Sequence, residues 1–212
     1  MQVLCLPVGM LQANCYIVYE QEGGEAAVID PGAEEARILR QIEAHGLKVQ
    51  HVLLTHAHFD HMLAAKEVME ATGADLLVPA GDEPALNNSR LNARFLMGSA
   101  EPYPLTASRL LEEGEEVTVG GLRLKTILTP GHTAGGCCYL CGEALFTGDT
   151  LFAGSIGRTD LPGGSFTQLK QSLDKLAALP GDYTVYPGHG EATTLERERR
   201  NNPFLGDNFY DM

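Results

Sequence analysis

The sequence predicts an α/β fold in which two packed sheets are covered by helices on both outer faces. Three observations carry this. Short apolar segments of strand-like composition recur along the chain, helical patterns lie between them, and the set of strands and helices starts over in the second half. No linker or low-complexity tract interrupts the 212 residues, a length suited to one well-buried domain, so a single domain over 1–212 is expected.

Residues 2–7, 15–20 and 25–30 read as three short strands, with Glu22-Gly23-Gly24 as the turn between the last two. Asp30-Pro31-Gly32 breaks the sheet, and residues 33–45 follow a helical pattern that Gly46 closes. Residues 49–54 are apolar and lean to β-branched types, the mark of a buried strand. Residues 62–70 combine good helix formers with apolar positions at helical spacing. Residues 76–79 are another short strand. From 80 to 113 Pro, Asn and Gly are scattered, and an irregular span of that length belongs to a functional loop or a cleft edge. Then 116–119 and 122–128 form a hairpin about Gly120-Gly121, and 136–141 and 144–147 another about Gly142-Glu143. Residues 166–178 look helical, 183–186 form a strand, and 192–200 a final helix.

A net charge of −13 argues against a nucleic-acid partner, which needs Lys and Arg to neutralise phosphates. The start has no basic segment followed by a long apolar one, and no apolar run reaches membrane length, so neither a secretory signal nor a membrane span is expected. Five cysteines, an odd number without framework spacing, point to a reduced, cytoplasmic compartment.

Between the strand at 49–54 and the helix after it lies Thr55-His56-Ala57-His58-Phe59-Asp60-His61, three imidazoles and a carboxylate within six consecutive residues. It occupies the carboxyl end of a strand, where open sheets place their ligands. Histidines at i and i+2 cannot share a helix face, so a shaped loop must aim them. Neutral imidazole and carboxylate are ligands of zinc, iron and manganese. Three more segments put one candidate ligand after a strand among small or rigid residues: Thr129-Pro130-Gly131-His132-Thr133, Thr147-Gly148-Asp149-Thr150 and Tyr186-Pro187-Gly188-His189-Gly190. Each alone is compatible with a plain turn. Their coincidence with the first cluster is what points to a metal site.

In this order Asp30, His56-x-His58-x-Asp60-His61, His132, Asp149 and His189 resemble the metallo-β-lactamase superfamily, over nearly the whole chain. Within it the chain is similar to glyoxalase II-like hydrolases, in particular the short bacterial subgroup. Gln12-Ala13-Asn14-Cys15-Tyr16, Val28-Ile29-Asp30-Pro31-Gly32, Gly148-Asp149-Thr150-Leu151-Phe152, Gly157-Arg158-Thr159-Asp160 and Asn202-Pro203-Phe204 carry that finer likeness. The resemblance implies an αββα four-layer sandwich with two divalent metal ions, zinc first and iron or manganese as alternatives. It implies that His56, His58 and His132 hold one ion, that Asp60, His61 and His189 hold the other, and that Asp149 bridges them. Asp30 would steady ligand geometry by hydrogen bonding, or else cap a helix beside Pro31. The implied reaction is hydrolysis of a small-molecule acyl thioester by water that the metal pair activates, with Asp60 orienting that water.

Two departures bear on the substrate. The longer enzymes carry a C-terminal helical domain that helps hold glutathione, and the chain ends too soon for one. Where they place a lysine, this sequence has Arg158, which could clamp a substrate carboxylate or pair with Asp160. A mononuclear-iron persulfide dioxygenase of the same fold shares the Gly-Arg-Thr-Asp feature and is the alternative enzyme. A non-catalytic metal-binding scaffold is the third reading, disfavoured by a complete set of open ligands.

The remaining polar residues carry structural roles. His45 sits at a helix end and His51 at a strand start. Cys138 and Cys141 are half a zinc ribbon without a second pair, and on a strand they point to opposite faces. Arg197, Arg199 and Arg200 suit a solvated helix face.

Overall fold

The computed structural model describes residues 1–98 and 103–205. Four residues of the irregular span, 99–102, thus lie outside the described residues. In the first half β1 (Gln2–Val8), β2 (Ala13–Tyr19) and β3 (Glu25–Ile29) form an antiparallel meander. After α1 (Glu35–Ala44) the chain returns as β4 (Lys48–Leu53) parallel to β3. Next come α2 (Phe59–Met62), α3 (Ala65–Thr72) and β5 (Asp75–Pro79), again parallel, and then β6 (Arg109–Leu111) completes the sheet in sequential strand order. Parallel neighbours need a crossover, and the helices supply it.

The second half repeats the plan. β7 (Glu116–Val119), β8 (Leu122–Leu128), β9 (Cys137–Cys141) and β10 (Ala144–Gly148) are antiparallel neighbours. A small hairpin of β11 (Leu151–Phe152) and β12 (Ser155–Ile156) precedes α4 (Phe166–Ala177). β13 (Thr184–Pro187) then adds parallel to β10, β14 (Thr193–Thr194) pairs antiparallel with β13, and α5 (Leu195–Asn201) follows.

Three buried layers make this an αββα sandwich. Along β2, Tyr16 and Val18 point between the sheets toward Leu124, Tyr139 and Phe146, while Cys15 and Ile17 point outward toward α1 and α3. That alternation is the two-residue period of a strand buried on both faces. Ile38 and Ile42 of α1 and Val68 of α3 close the first outer layer. On the other side Leu169, Leu173 and Leu176 form one stripe of α4 and pack on Ile127, Leu145 and Val185. Each fully buried Leu or Val stabilises the fold by about 1.5–3 kcal/mol. Cys138 belongs to this outer layer and Cys141 to the inter-sheet layer, as opposite strand faces require. Among the described residues no helix is long and apolar enough to cross a membrane.

The expected elements shift at four places. The final helix starts at Leu195 rather than 192, because Thr193 and Thr194 pair with β13 and the Thr194 hydroxyl then accepts from Arg197 N at 3.2 Å as the N-cap. The first helix starts at Glu35, since Glu34 sits in the left-handed region at φ 56°. The helical pattern after the histidine cluster splits, with Phe59–Met62 already helical and Ala64 N turned away to the carbonyl of Pro31 at 2.9 Å. The irregular span contributes an edge strand, Arg109–Leu111, which its short length hid.

Candidate metal centre

The candidate ligands sit where strands end, on one rim of the sandwich. His56 and His58 lie on the loop after β4, and Asp60 and His61 lie on α2, not on the loop as their spacing suggested. His132 follows β8, Asp149 follows β10 and His189 follows β13. His56, His58, His61 and His132 are buried, whereas Asp60, Asp149 and His189 are partly open. Backbone must come very close here. A Cβ on Gly188 would fall 2.2 Å from Asp149 Oδ1 and 2.9 Å from His61 Cε1. Only glycine leaves the carboxylate its place.

Two groups result. His56, His58 and His132 bring one ring nitrogen each within 4.8 Å of one another, and so do Asp60, His61 and His189 with one ligand atom each. Asp149 lies between them. Its Oδ1 is 3.4 Å from His61 Nε2, and its Oδ2 is 3.4 Å from His132 Nε2 and 3.7 Å from His189 Nε2. All seven candidate ligands thus converge.

Hydrogen bonds decide which nitrogen each ring presents. His61 Nδ1–H donates to Asp30 Oδ2 at 3.0 Å, His132 Nδ1–H to the carbonyl of Arg158 at 2.7 Å, and His189 Nδ1–H to the carbonyl of Leu11 at 3.1 Å. The Thr55 hydroxyl gives its proton to Asp30 Oδ2 at 2.6 Å, so its oxygen accepts Nδ1–H of His56 at 3.0 Å. In these four rings Nε2 faces the centre. His58 is the exception, with Nδ1 only 2.8 Å from His132 Nε2. His56 Nε2 and Asp149 Oδ1 are buried with no hydrogen-bond partner. Buried acceptors left unpaired cost free energy, and a cation removes that cost. The donor set, imidazole nitrogens with carboxylate oxygens, fits divalent zinc, iron or manganese.

The electrostatics agree. Burial, then the rings of His61 and His132, push His56 well below its ordinary value. Burial and His132 push His58 down to about 3. Both are neutral at physiological pH, the form that ligates metal. Burial also disfavours the charged form of His61, but Asp149, Asp60 and Asp30 outweigh it and hold the ring up at about 10. His189 is raised in the same way, its burial outweighed by Asp60 and Asp149. Burial opposes ionisation of Asp60, yet His61 and His189 hold it below the usual carboxylate range. Protonated His61 therefore supplies cationic charge among the carboxylates.

Asp30 is 1% exposed and accepts from Thr55 N, Thr55 Oγ1 and His61 Nδ1. It caps no helix, since α1 starts five residues later, and its side chain bonds to the His61 ring instead. The guanidinium of Arg158 makes a two-pronged pair with Asp160, both contacts at 2.7 Å. It is the main chain of Arg158 that reaches His132.

Asp82 was not among the residues the sequence singled out. It is buried and accepts from Ala57 N at 2.8 Å through one oxygen and from Gly135 N at 2.7 Å through the other. It thereby ties the loop of His56 and His58 to the loop of His132. Asp82 lies just past the end of β5, the same strand-end position that marks the other candidate acids and histidines, but inside the irregular span. Over the centre opens a cavity of about 360 Å³, walled by Phe59, Ala93, Phe152, Ile156 and Leu161.

Comparison with known proteins places this geometry. The family model described as Metallo-beta-lactamase superfamily matches residues 8–189. Hydroxyacylglutathione hydrolase GloC of Haemophilus influenzae is 35% identical over 210 residues, covering 97% of this chain and 98% of GloC. The crystal structure of BLEG-1 B3 metallo-beta-lactamase matches with a TM-score of 0.91 and 34% identity, covering 96% of this chain and 99% of that one. The crystal structure of TTHA1623 in a di-iron-bound form matches with a TM-score of 0.85 and 40% identity, covering 96% of this chain and all (100%) of that one.

Proposed function

This chain belongs to the metallo-beta-lactamase superfamily, and we propose that it is a metallo-hydrolase that cleaves acyl thioesters at a pair of divalent ions. The carrying observation is Asp149, which lies between the two histidine groups, with Oδ1 3.4 Å from His61 and Oδ2 3.4 Å from His132 and 3.7 Å from His189. In this reading His56, His58 and His132 would hold one ion and Asp60, His61 and His189 the other, with Asp149 available to both. Divalent ions bound there supply Lewis acidity and lower the pKa of bound water to about 7.

The chain's own groups do the rest. Nδ1 anchors on Asp30, Thr55, Arg158 and Leu11 keep the rings from turning, so the site is organised before substrate arrives. Asp60 Oδ2 lies 3.3 Å from His189 Nε2 beside the cavity, placed to orient the attacking water. Phe59, Phe152 and Leu161 give the cavity apolar walls. A thiolate leaves readily, a free thiol having a pKa of about 8.5, so no separate general acid is required. Among the described residues Arg158 is the one Lys or Arg side chain lining the cavity, and it is already paired with Asp160, which supports weak selectivity for the thiol. The likeness to GloC over 97% of the chain supports the thioester class.

Gly157-Arg158-Thr159-Asp160 favours a second reading, a persulfide dioxygenase using one iron. Assays of zinc-loaded and iron-loaded protein separate the two. S-lactoylglutathione and thioesters of several other thiols should be hydrolysed with similar kcat/KM, without oxygen uptake. Oxygen consumption with glutathione persulfide and no thioester turnover would establish the second reading instead. Turnover of a β-lactam alone would overturn both.

A further inference from the structure

Beside the metal centre runs a second cleft, of about 580 Å³, between the turn at residues 9–12 and the short helical turn Arg94–Met97. It shares Leu11, Phe59, Asp60, Leu96 and Arg158 with the cavity over the centre, so the two open into one another. Its own walls are Val8, Met10, Ala33, Leu63 and Met97.

Among the described residues eight large apolar side chains stand exposed, and four of them, Met10, Leu11, Leu96 and Met97, line this one cleft. Met10 is 88% exposed and Met97 49%. Single apolar residues on a surface need no explanation, but a group gathered in a concave place next to a reaction centre marks a ligand site. Methionine suits such a wall, because its unbranched, polarizable side chain adapts to the shape it meets.

The cleft offers little to a polar guest. The lining side chains that carry charge are Asp60, turned to His61 and His189, and Arg158, paired with Asp160. A charged or hydroxylated group lodged there would lose water without gaining a partner. Low-molecular-weight carrier thiols are polar and ionised, so the part of a thioester that can be apolar is the acyl chain. We propose that this cleft binds the acyl chain of the substrate and that the preferred substrates carry an extended apolar acyl group instead of a small polar one. This inference rests on the thioester reading above.

The test uses the zinc-loaded full chain with acetyl, butanoyl, hexanoyl and octanoyl thioesters of glutathione. Burial of each added methylene should raise kcat/KM about fourfold until the cleft is filled. Replacing both exposed methionines, Met10→Gln with Met97→Gln, keeps side-chain length and should lower the octanoyl-to-acetyl ratio on the order of fivefold. Calorimetry with uncleavable thioethers of the same chain lengths gives a second readout and should show the octanoyl analogue binding more tightly. A rate that is flat or falls with chain length, with equal thioether affinities, overturns this inference and leaves the thioester reading standing. No turnover of any thioester, with tight octanoyl thioether binding, overturns the thioester reading and keeps the apolar site. A rise in rate when the thiol is made apolar at constant acyl group, and none in the acyl series, overturns the assignment to the acyl chain.

Discussion

Asp30 Oδ2 accepts the Nδ1–H of His61 at 3.0 Å and, with the same oxygen, the hydroxyl of Thr55 at 2.6 Å. One buried carboxylate therefore orients a ring in each half of the centre, His61 directly and His56 through Thr55. Asp30→Ala should lower metal occupancy at both positions and destabilise the metal-free protein by about 2–4 kcal/mol, because buried donors lose their acceptor. Asn tolerates the left-handed backbone at φ 52° and keeps one acceptor, so Asp30→Asn should recover part of both losses. Metal analysis with thermal unfolding checks this, and full occupancy in Asp30→Ala would count against it.

Asp82 predicts a selective effect. It braces the loops of His56, His58 and His132 and touches neither Asp60 nor His189. Asp82→Ala should therefore empty one position, with stoichiometry falling from two ions toward one and affinity at that position dropping about 10–100-fold. Equal loss at both positions would reduce Asp82 to general stability.

Asp149 faces both groups, so Asp149→Ala should cost more kcat than His132→Ala or His189→Ala, by at least about 100-fold relative to the unchanged protein. The fold should survive, since the packed layers lie beneath the rim. His45, whose ring sits 2.9 Å from Glu22 and contacts none of the candidate ligands, is the control. Equal losses for Asp149→Ala and His45→Ala would remove Asp149 from its assigned place.

Gly188→Ala tests the close approach. The added methyl would meet Asp149 Oδ1 at 2.2 Å, so either the carboxylate or the loop must move. Overpacking of this kind costs about 1–3 kcal/mol. Activity and metal occupancy should fall far more than the unfolding temperature, and unchanged occupancy would contradict the geometry.

The raised value of His61, about 10, sets a pH dependence. A ring whose folded value lies above its unfolded one stabilises fully below about 6.5 and loses that contribution as pH rises through the folded value. Metal-free protein should thus become less stable between about pH 6.5 and 10. His61 must also give up a proton to ligate metal, so zinc affinity should increase with pH across the neutral range, with proton release measurable by calorimetry in buffers of different ionisation enthalpy. Affinity independent of pH would contradict this charge assignment.

Much of the site could be read from the chain because residue type carries it. Three histidines and an aspartate within Thr55–His61, and His132, Asp149 and His189 each set among Gly and Pro after a strand, announce ligands through chemistry and turn propensity alone. The helical spacing of Leu169, Leu173 and Leu176 likewise announces the layer it packs into. Other features have no residue-level signature. The carbonyls of Arg158 and Leu11 that fix His132 and His189 are main-chain groups which any amino acid would supply. The bond from Asp82 to Gly135 spans residues far apart in sequence, and the edge strands Arg109–Leu111 and Thr193–Thr194 exist only because a neighbour offers a free edge. Local chemistry determined which residues are candidates; which nitrogen faces the centre, and which loops are tied to each other, depend on backbone groups brought together only when the two halves pack.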